Sequence, residues 1–254
     1  MMKNKVYFFP KKIGASFKEV ALNCRGEFSI IVPPGVDIGR PSTYVPAASH
    51  VVINWGYKDK FPKFPDNPVK YTKVINRPIR VGATQAALNE MLPPPVAGNL
   101  DGCVGYSTSY ADEEQTLFPN DDGFRGATVH RQYIPKSSEY RIHLTTTHGI
   151  IYKERKILRA HDDKGVAVDK SKINWRHRSR VNGFIYNPVT AIPIPVQDLV
   201  NDLRKMVTCD FVVLKILYSK NTNKATLWSV EFTPFLETRG QIETYSNYLK
   251  EVTQ

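Results

Sequence analysis

The sequence predicts an α+β protein built on antiparallel hairpins, and three stretches carry that expectation. In "EYRIHLTTTHGIIYKERKIL" (139–158), Tyr140, Ile142 and Leu144 alternate with polar residues, a turn falls at His148-Gly149, and a second strand returns. "DFVVLKILYS" and "ATLWSVEF" are hydrophobic strands joined by the short polar "KNTNK". "PVQDLVNDLRKMV" (195–207) is the clearest helix: proline opens it, and Leu199, Val200 and Leu203 share one face.

The remaining elements follow in chain order. The first fifty residues mix short apolar runs, "KVYFF" and "FSIIV", with the turn signals "PPG" and "GRP", which predicts strands and loops. "HVVINWG" (50–56) is a buried strand ending in glycine, and the Pro- and Lys-rich "YKDKFPKFPDNP" after it is a loop. "VGATQAALNEML" (81–92) has a helical composition and stops at Pro93, Pro94 and Pro95. That triple proline divides the chain into an N-terminal α/β lobe, 1–92, and a second part, 93–254. "GCVGYSTSYADEEQTLFPNDDGFRG" (102–126) is a strand, a polar excursion and a return, and a short helix through Tyr245 and Tyr248 closes the chain.

The 254 residues, 41% hydrophobic and 23% charged, have the composition of a folded protein, which argues against wholesale disorder. A net charge of +11 and a pI near 9.5 favour an acidic partner, nucleic acid or an anionic surface. Cys24, Cys103 and Cys209 lie far apart with no CxxC pair, which argues against a disulfide frame or a zinc site and fits a reducing compartment. The start, "MMKNKVYFFPKK", has too short an apolar run for a signal peptide, and no stretch approaches a membrane span. A cytoplasmic protein with no membrane partner is expected.

No HExxH, no GxxxxGK[ST] and no strand followed by GxGxxG is present. Seven stretches in order, however, resemble the successive blocks of phage-encoded ATP-grasp proteins: "INWG" (53–56), "NRPIRVGATQAAL" (76–88), "HRQYIPKSSEYRIHL" (130–144), "YKERK" (152–156), "NWRHRSRVNGF" (174–184), "VTCDFVV" (207–213) and "EFTPFLE" followed by Tyr245. "YIPKSSEYRIHL" is the most specific of them. The resemblance implies an ATP-grasp-like two-lobed fold with antiparallel sheets that clamps ATP. Such a fold uses basic groups on the phosphates, a Gly-rich lid, and carboxylates on adjacent strands to hold magnesium. By the same resemblance Arg141 and Lys153 or Lys156 are phosphate-side groups and Glu231 is a metal ligand.

The sequence departs from that pattern at four places. Gln85 stands where the family has a lysine, and the lid reads "STSYADEEQ", acidic and without glycine. Lys215 stands where the family has its metal-holding aspartate, and Thr233 where it has an asparagine. An ammonium where magnesium needs a carboxylate reverses the electrostatics of the site. The expectation is a nucleotide site that has decayed, with no cofactor and no metal.

The basic segment supplies the functional expectation. Lys153, Arg155, Lys156, Arg159, Arg176, Arg178 and Arg180 outnumber the nearby acids, and Trp175 lies among them. Trp175 reads either as a core residue or as a platform for an unpaired base. Cations neutralise phosphates while aromatic faces stack on bases. With Arg141 and Lys215, these residues predict a site for single-stranded DNA. The expected protein is a non-enzymatic phage transcription or replication cofactor on a catalytically inactive ATP-grasp-like scaffold, with single-stranded DNA and a phage RNA polymerase as partners. The alternative is an ATP-grasp carboxylate–amine ligase, with Glu231 and Arg141 as its surviving site residues.

Overall fold

Two hairpins and one further strand build the sheet that dominates the molecule. The structure is a computed structural model that describes residues 6–10, 19–20, 23–24, 28–30, 51–55, 73–97, 99–100, 103–108, 114–117, 127, 129–135, 137–161, 165–173, 183–234 and 236–253. Among them β1 (Val6–Pro10), β2 (Phe28–Ile30), β3 (Val51–Trp55) and β4 (Lys73–Ile75) form a parallel sheet in the order β2-β1-β3-β4. Its parallel pairing departs from the antiparallel expectation. The fully buried run of β3 is the composition that parallel strands covered on both faces require.

A three-stranded antiparallel sheet, β6-β5-β7, is built from β5 (Cys103–Thr108), β6 (Glu114–Leu117) and β7 (Val129–Gln132). The third sheet runs β10-β9-β8-β11-β12 and is antiparallel throughout: β8 (Ser137–Thr145), β9 (Gly149–Leu158), β10 (Phe184–Pro188), β11 (Phe211–Ser219) and β12 (Lys224–Glu231). Both predicted hairpins are present. Gly149 closes the first with φ +70°, a left-handed conformation in which a side chain would be strained.

Strand parity divides this sheet into two unlike faces. Tyr140, Ile142 and Leu144 of β8 lie beside Val212, Leu214 and Ile216 of β11 in one apolar layer. Two helices cover it. Helix α1 (Pro78–Asn89) contributes Val81 and Leu88, and α2 (Ile194–Arg204) contributes Val196, Val200 and Leu203. Each fully buried side chain of this kind stabilises the fold by about 1.5–3 kcal/mol. Helix α1 starts three residues before its predicted onset because Pro78 suits a first turn, where its missing N–H leaves no bond unmade. The Thr84 hydroxyl ties α1 to the entry of β11 by accepting from the amides of Thr208 (2.9 Å) and Cys209 (3.1 Å).

The last helix, α3 (Arg239–Thr253), returns to the parallel sheet, where Ile242, Tyr245 and Leu249 pack with Ile53, Trp55, Ile75 and Phe211. A capping box starts it: Thr238 Oγ1 accepts from the Gln241 amide (3.3 Å), and Gln241 Oε1 accepts from the Thr238 amide (2.8 Å). Asn76 joins the two sheets. Its backbone sits at φ 58°, its carbonyl accepts from Asn54 Nδ2 (2.7 Å), and its Oδ1 accepts from the Phe211 amide (3.3 Å). No helix of the described residues is long and apolar enough to cross a membrane.

Candidate active site

The second face of the five-stranded sheet is polar. The parity that turns Tyr140, Ile142 and Leu144 one way turns Glu139, Arg141 and His143 the other. Register then sets one row across four strands: Glu154 of β9 opposite Arg141 of β8, Arg141 opposite Lys215 of β11, and Lys215 opposite Ser229 of β12. A bulge between Lys215 and Ile216 accommodates the extra residue Trp228 and brings Ser229 into this row. Trp228 packs with Leu217 and Val104, so the three-stranded sheet covers one end of the polar face. Phe211, Tyr245 and the parallel sheet cover the other. The charged row lies between those two apolar contacts.

Every charge in the row meets an opposite one. Arg141, 7% exposed, points Nη1 at Glu237 Oε2 (3.8 Å) and Glu154 Oε2 (4.0 Å), and its guanidinium lies 3.7 Å from the centre of the Tyr186 ring. Glu237 is in reach because it immediately precedes the capping box of α3. Lys156 Nζ pairs with Glu139 Oε1 at 2.8 Å, and the Tyr186 hydroxyl donates to the same oxygen. Lys215, 8% exposed, has its Nζ 3.4 Å from Glu231 Oε1. Glu154 is fully buried; its Oε2 lies 3.3 Å from His143 Nε2, while His143 Nδ1 lies 3.0 Å from the Tyr245 hydroxyl.

The protonation states follow from this packing. Burial would raise the Glu139 carboxyl, but the ammonium groups of Lys156 and Lys215 outweigh it and hold the group down at about 2. Burial likewise opposes ionised Glu231, and Lys215 and Arg141 overcome it to lower its pKa. Burial depresses Lys156, against Glu139, and depresses His143, against Glu154. Arg141 is raised: burial opposes its charge, and Tyr186 with Glu231, Glu154 and Glu237 more than restores it. The site at neutral pH is a set of preorganised charges around a neutral imidazole.

The divalent cation that the resemblance implies does not fit these residues. Magnesium needs one or two carboxylates free to face it. Here Glu231 is engaged by Lys215, Glu139 by Lys156, and Glu154 by His143 and Arg141. Among the described residues no three His, Cys, Asp or Glu side chains converge on a possible metal position. No step of the chemistry proposed for this face passes through a metal.

The structure brings together only part of the basic set named from the sequence. Arg141, Lys156 and Lys215 share the polar face. Lys153 and Arg155 alternate with Glu154 and Lys156 and so take the opposite face, where Arg155 Nη2 donates to Ser138 Oγ (3.1 Å). Arg159 follows β9 and packs on Gly183. Trp175, Arg176, Arg178 and Arg180 lie outside the described residues, as does the centre of the acidic lid. Gln85 lies on α1 and donates to Asn89 Oδ1 (2.6 Å). Glu139, His143, Glu154 and Ser229 join the site without having been singled out, and Tyr186, one of the aromatics interleaved with the basic segment, joins it as the ring beneath Arg141. For Glu139 and His143 the signal was available in the polar half of the "EYRIHL" alternation.

The chain matches no family profile, and no curated protein matches it in sequence. Solved structures do match. PsnB, an ATP-grasp ligase captured with a minimal precursor, magnesium and ADP, has a TM-score of 0.57 at 12% identity, covering 99% of this chain and 97% of that one. D-alanine–D-alanine ligase from Bacillus anthracis has a TM-score of 0.55 at 8% identity, over 98% and 93% of the two chains. The macrocyclase MdnC from Microcystis aeruginosa, bound to its precursor peptide MdnA, has a TM-score of 0.53 at 11% identity, over 98% and 99%.

The chain has the ATP-grasp fold.

That likeness corrects the expectation of a non-enzymatic single-stranded DNA-binding cofactor. Of the neighbours named, PsnB and the D-alanine–D-alanine ligase are ligases and MdnC is a macrocyclase, which speaks against a scaffold without chemistry. The polar face supplies the physical reason. Arg141, Lys156 and Lys215 are largely buried and ion-paired, so they add little to the open cationic surface that a DNA backbone needs.

Proposed function

We propose that the chain is an ATP-dependent ligase that joins a carboxylate to an amine. One observation carries the reading: Arg141, Lys156 and Lys215, with Glu139, Glu154 and Glu231, occupy a single face of the central sheet, between the two apolar contacts of an ATP-grasp fold. The block resemblance also supports a phage origin. In this reaction a carboxylate oxygen attacks the γ-phosphorus of ATP, the bond to the bridging oxygen breaks, and ADP leaves. The amine then attacks the acyl carbon of the acylphosphate, phosphate departs with the bonding pair, and the nitrogen loses its proton.

The residues of the face suit the charge that develops. Arg141 stays a cation, and Tyr186 and the carboxylates fix its guanidinium in place before any substrate arrives. Lys156 is held by Glu139. Preorganised cations in a site of low dielectric stabilise developing phosphate charge far better than cations in water. PsnB and MdnC were each captured with a precursor or precursor peptide, so carboxylates and amines on peptides are the first substrates to supply.

The test is ADP release from ATP across a panel of peptides bearing acidic and amino side chains. Release that needs both groups, and is lost in Arg141→Met with a native circular dichroism spectrum, supports the ligase. Release that ignores Arg141, or no release with any pair, contradicts it. A mobility shift with single-stranded DNA, and a pull-down with a phage RNA polymerase, address the expected partners separately.

A further inference from the structure

The carboxylates of the face are each ion-paired, yet in the row Glu154 Oε1 and Ser229 Oγ are buried without a hydrogen-bond partner among the described residues. Ser229 is 6% exposed and its hydroxyl makes no hydrogen bond among the described residues. It stands directly opposite Lys215 in the register, on the same face. A buried hydroxyl left without a partner costs about 1–3 kcal/mol, and such a group persists where something else satisfies it. Its neighbours identify the chemistry of that partner. Lys215 brings an ammonium beside it, Arg141 a guanidinium on the next strand, and both can only donate. Donors of this kind suit the oxygens of an anion.

We propose that this row binds a phosphate group of the nucleotide directly, with Lys215 standing in for a divalent cation and Ser229 donating the adjacent hydrogen bond. The inference rests on the ligase reading and adds to it that binding is independent of metal. Glu231 is the group that moves. Its side chain is 25% exposed against 10% for that of Lys215, so the carboxylate swings towards water and a phosphate oxygen takes its place on the ammonium. The exchange is one anion for another, and Lys215 remains paired throughout. Glu154, whose Oε1 is also buried without a partner, does not oppose this. It lies two strands from Lys215, behind Arg141, at about 9–10 Å by the strand spacing.

Isothermal titration of ATP into the whole protein, once in EDTA and once with excess magnesium, tests the proposal. The wild-type affinity should be the same in both. Ser229→Ala should weaken binding roughly tenfold in both, the worth of a hydrogen bond to a charged group. Glu231→Gln should tighten binding in EDTA, because its side chain no longer competes for Lys215. Lys215→Met, accepted only if its circular dichroism spectrum is native, should lose at least about tenfold. If Lys215→Met does not fold, the Ser229 and Glu231 variants decide. Binding that needs magnesium and disappears in Glu231→Gln overturns the inference and leaves the ligase reading standing. Unchanged affinity in both Ser229→Ala and Glu231→Gln also overturns it. No binding in either condition overturns both readings.

Discussion

Glu139→Gln removes one carboxylate from the polar face and changes little in size. In the wild type the Glu139 carboxyl is held at about 2, against an ordinary value of 4.5, because Lys156 and Lys215 outweigh the burial that would raise it. A fall of about 2.5 in pKa, at about 1.36 kcal/mol for each, makes the ionised carboxylate worth about 3 kcal/mol of stability at pH 7. Because the folded value lies below the unfolded one, this stability is complete above about pH 4.5 and is lost as pH falls towards 2. The variant also leaves Lys156 without its 2.8 Å partner, within the 3–5 kcal/mol range for a broken buried pair. Urea denaturation of both proteins at pH 7 should therefore show the variant about 3 kcal/mol less stable. Repeated at pH 3, the gap should be clearly smaller. A gap of equal size at the two pH values would mean that Glu139 acts by shape and not by charge.

Three other perturbations follow from the packing. Ile142→Ala, at a fully buried position beneath α1 and α2, should cost about 2–5 kcal/mol in urea denaturation with the slope unchanged. Asn76→Ala orphans the Phe211 amide and places alanine at φ 58°, so thermal denaturation should report a loss of about 2–4 kcal/mol. Tyr245→Phe removes the hydroxyl 3.0 Å from His143 Nδ1 and should cost about 1 kcal/mol with the fold intact. His143 itself, depressed by burial, should show no protonation near pH 6.5 by NMR. An unfolded chain takes up that proton and the folded one does not, so this histidine withdraws stability as pH falls below about 6.5.

The hairpins were legible because alternation is a local signal: Tyr140, Ile142 and Leu144 define the buried face of β8 without knowledge of its neighbours. The same parity assigns Glu139, Arg141 and His143 to the other face, and that half of the pattern holds the site. Lys153, Arg155 and Lys156 read as one basic run, yet a strand sends successive residues to opposite faces, so only Lys156 reaches the polar one. Cross-strand partners were not legible. Ser229 faces Lys215 because of a bulge at Trp228, and hydrophobic periodicity carries no trace of where such an extra residue is taken up. Lys215 was noticed as a departure, but its pairing with Glu231 required the register of β11 against β12. The direction of the N-terminal strands was not legible, because short buried strands look alike whatever their direction.

In the proposed ligase a carboxylate is activated by phosphoryl transfer on this face. The most direct measurement uses a peptide whose carboxylate is labelled with oxygen-18, incubated with ATP, the acceptor amine and the protein, followed by mass analysis of the released phosphate. A ligase that forms an acylphosphate delivers one labelled oxygen from the carboxylate to that phosphate, because the carbon–oxygen bond is the one that breaks. Phosphate whose new oxygen comes only from water would show ATP hydrolysis without acyl activation, and would contradict the ligase.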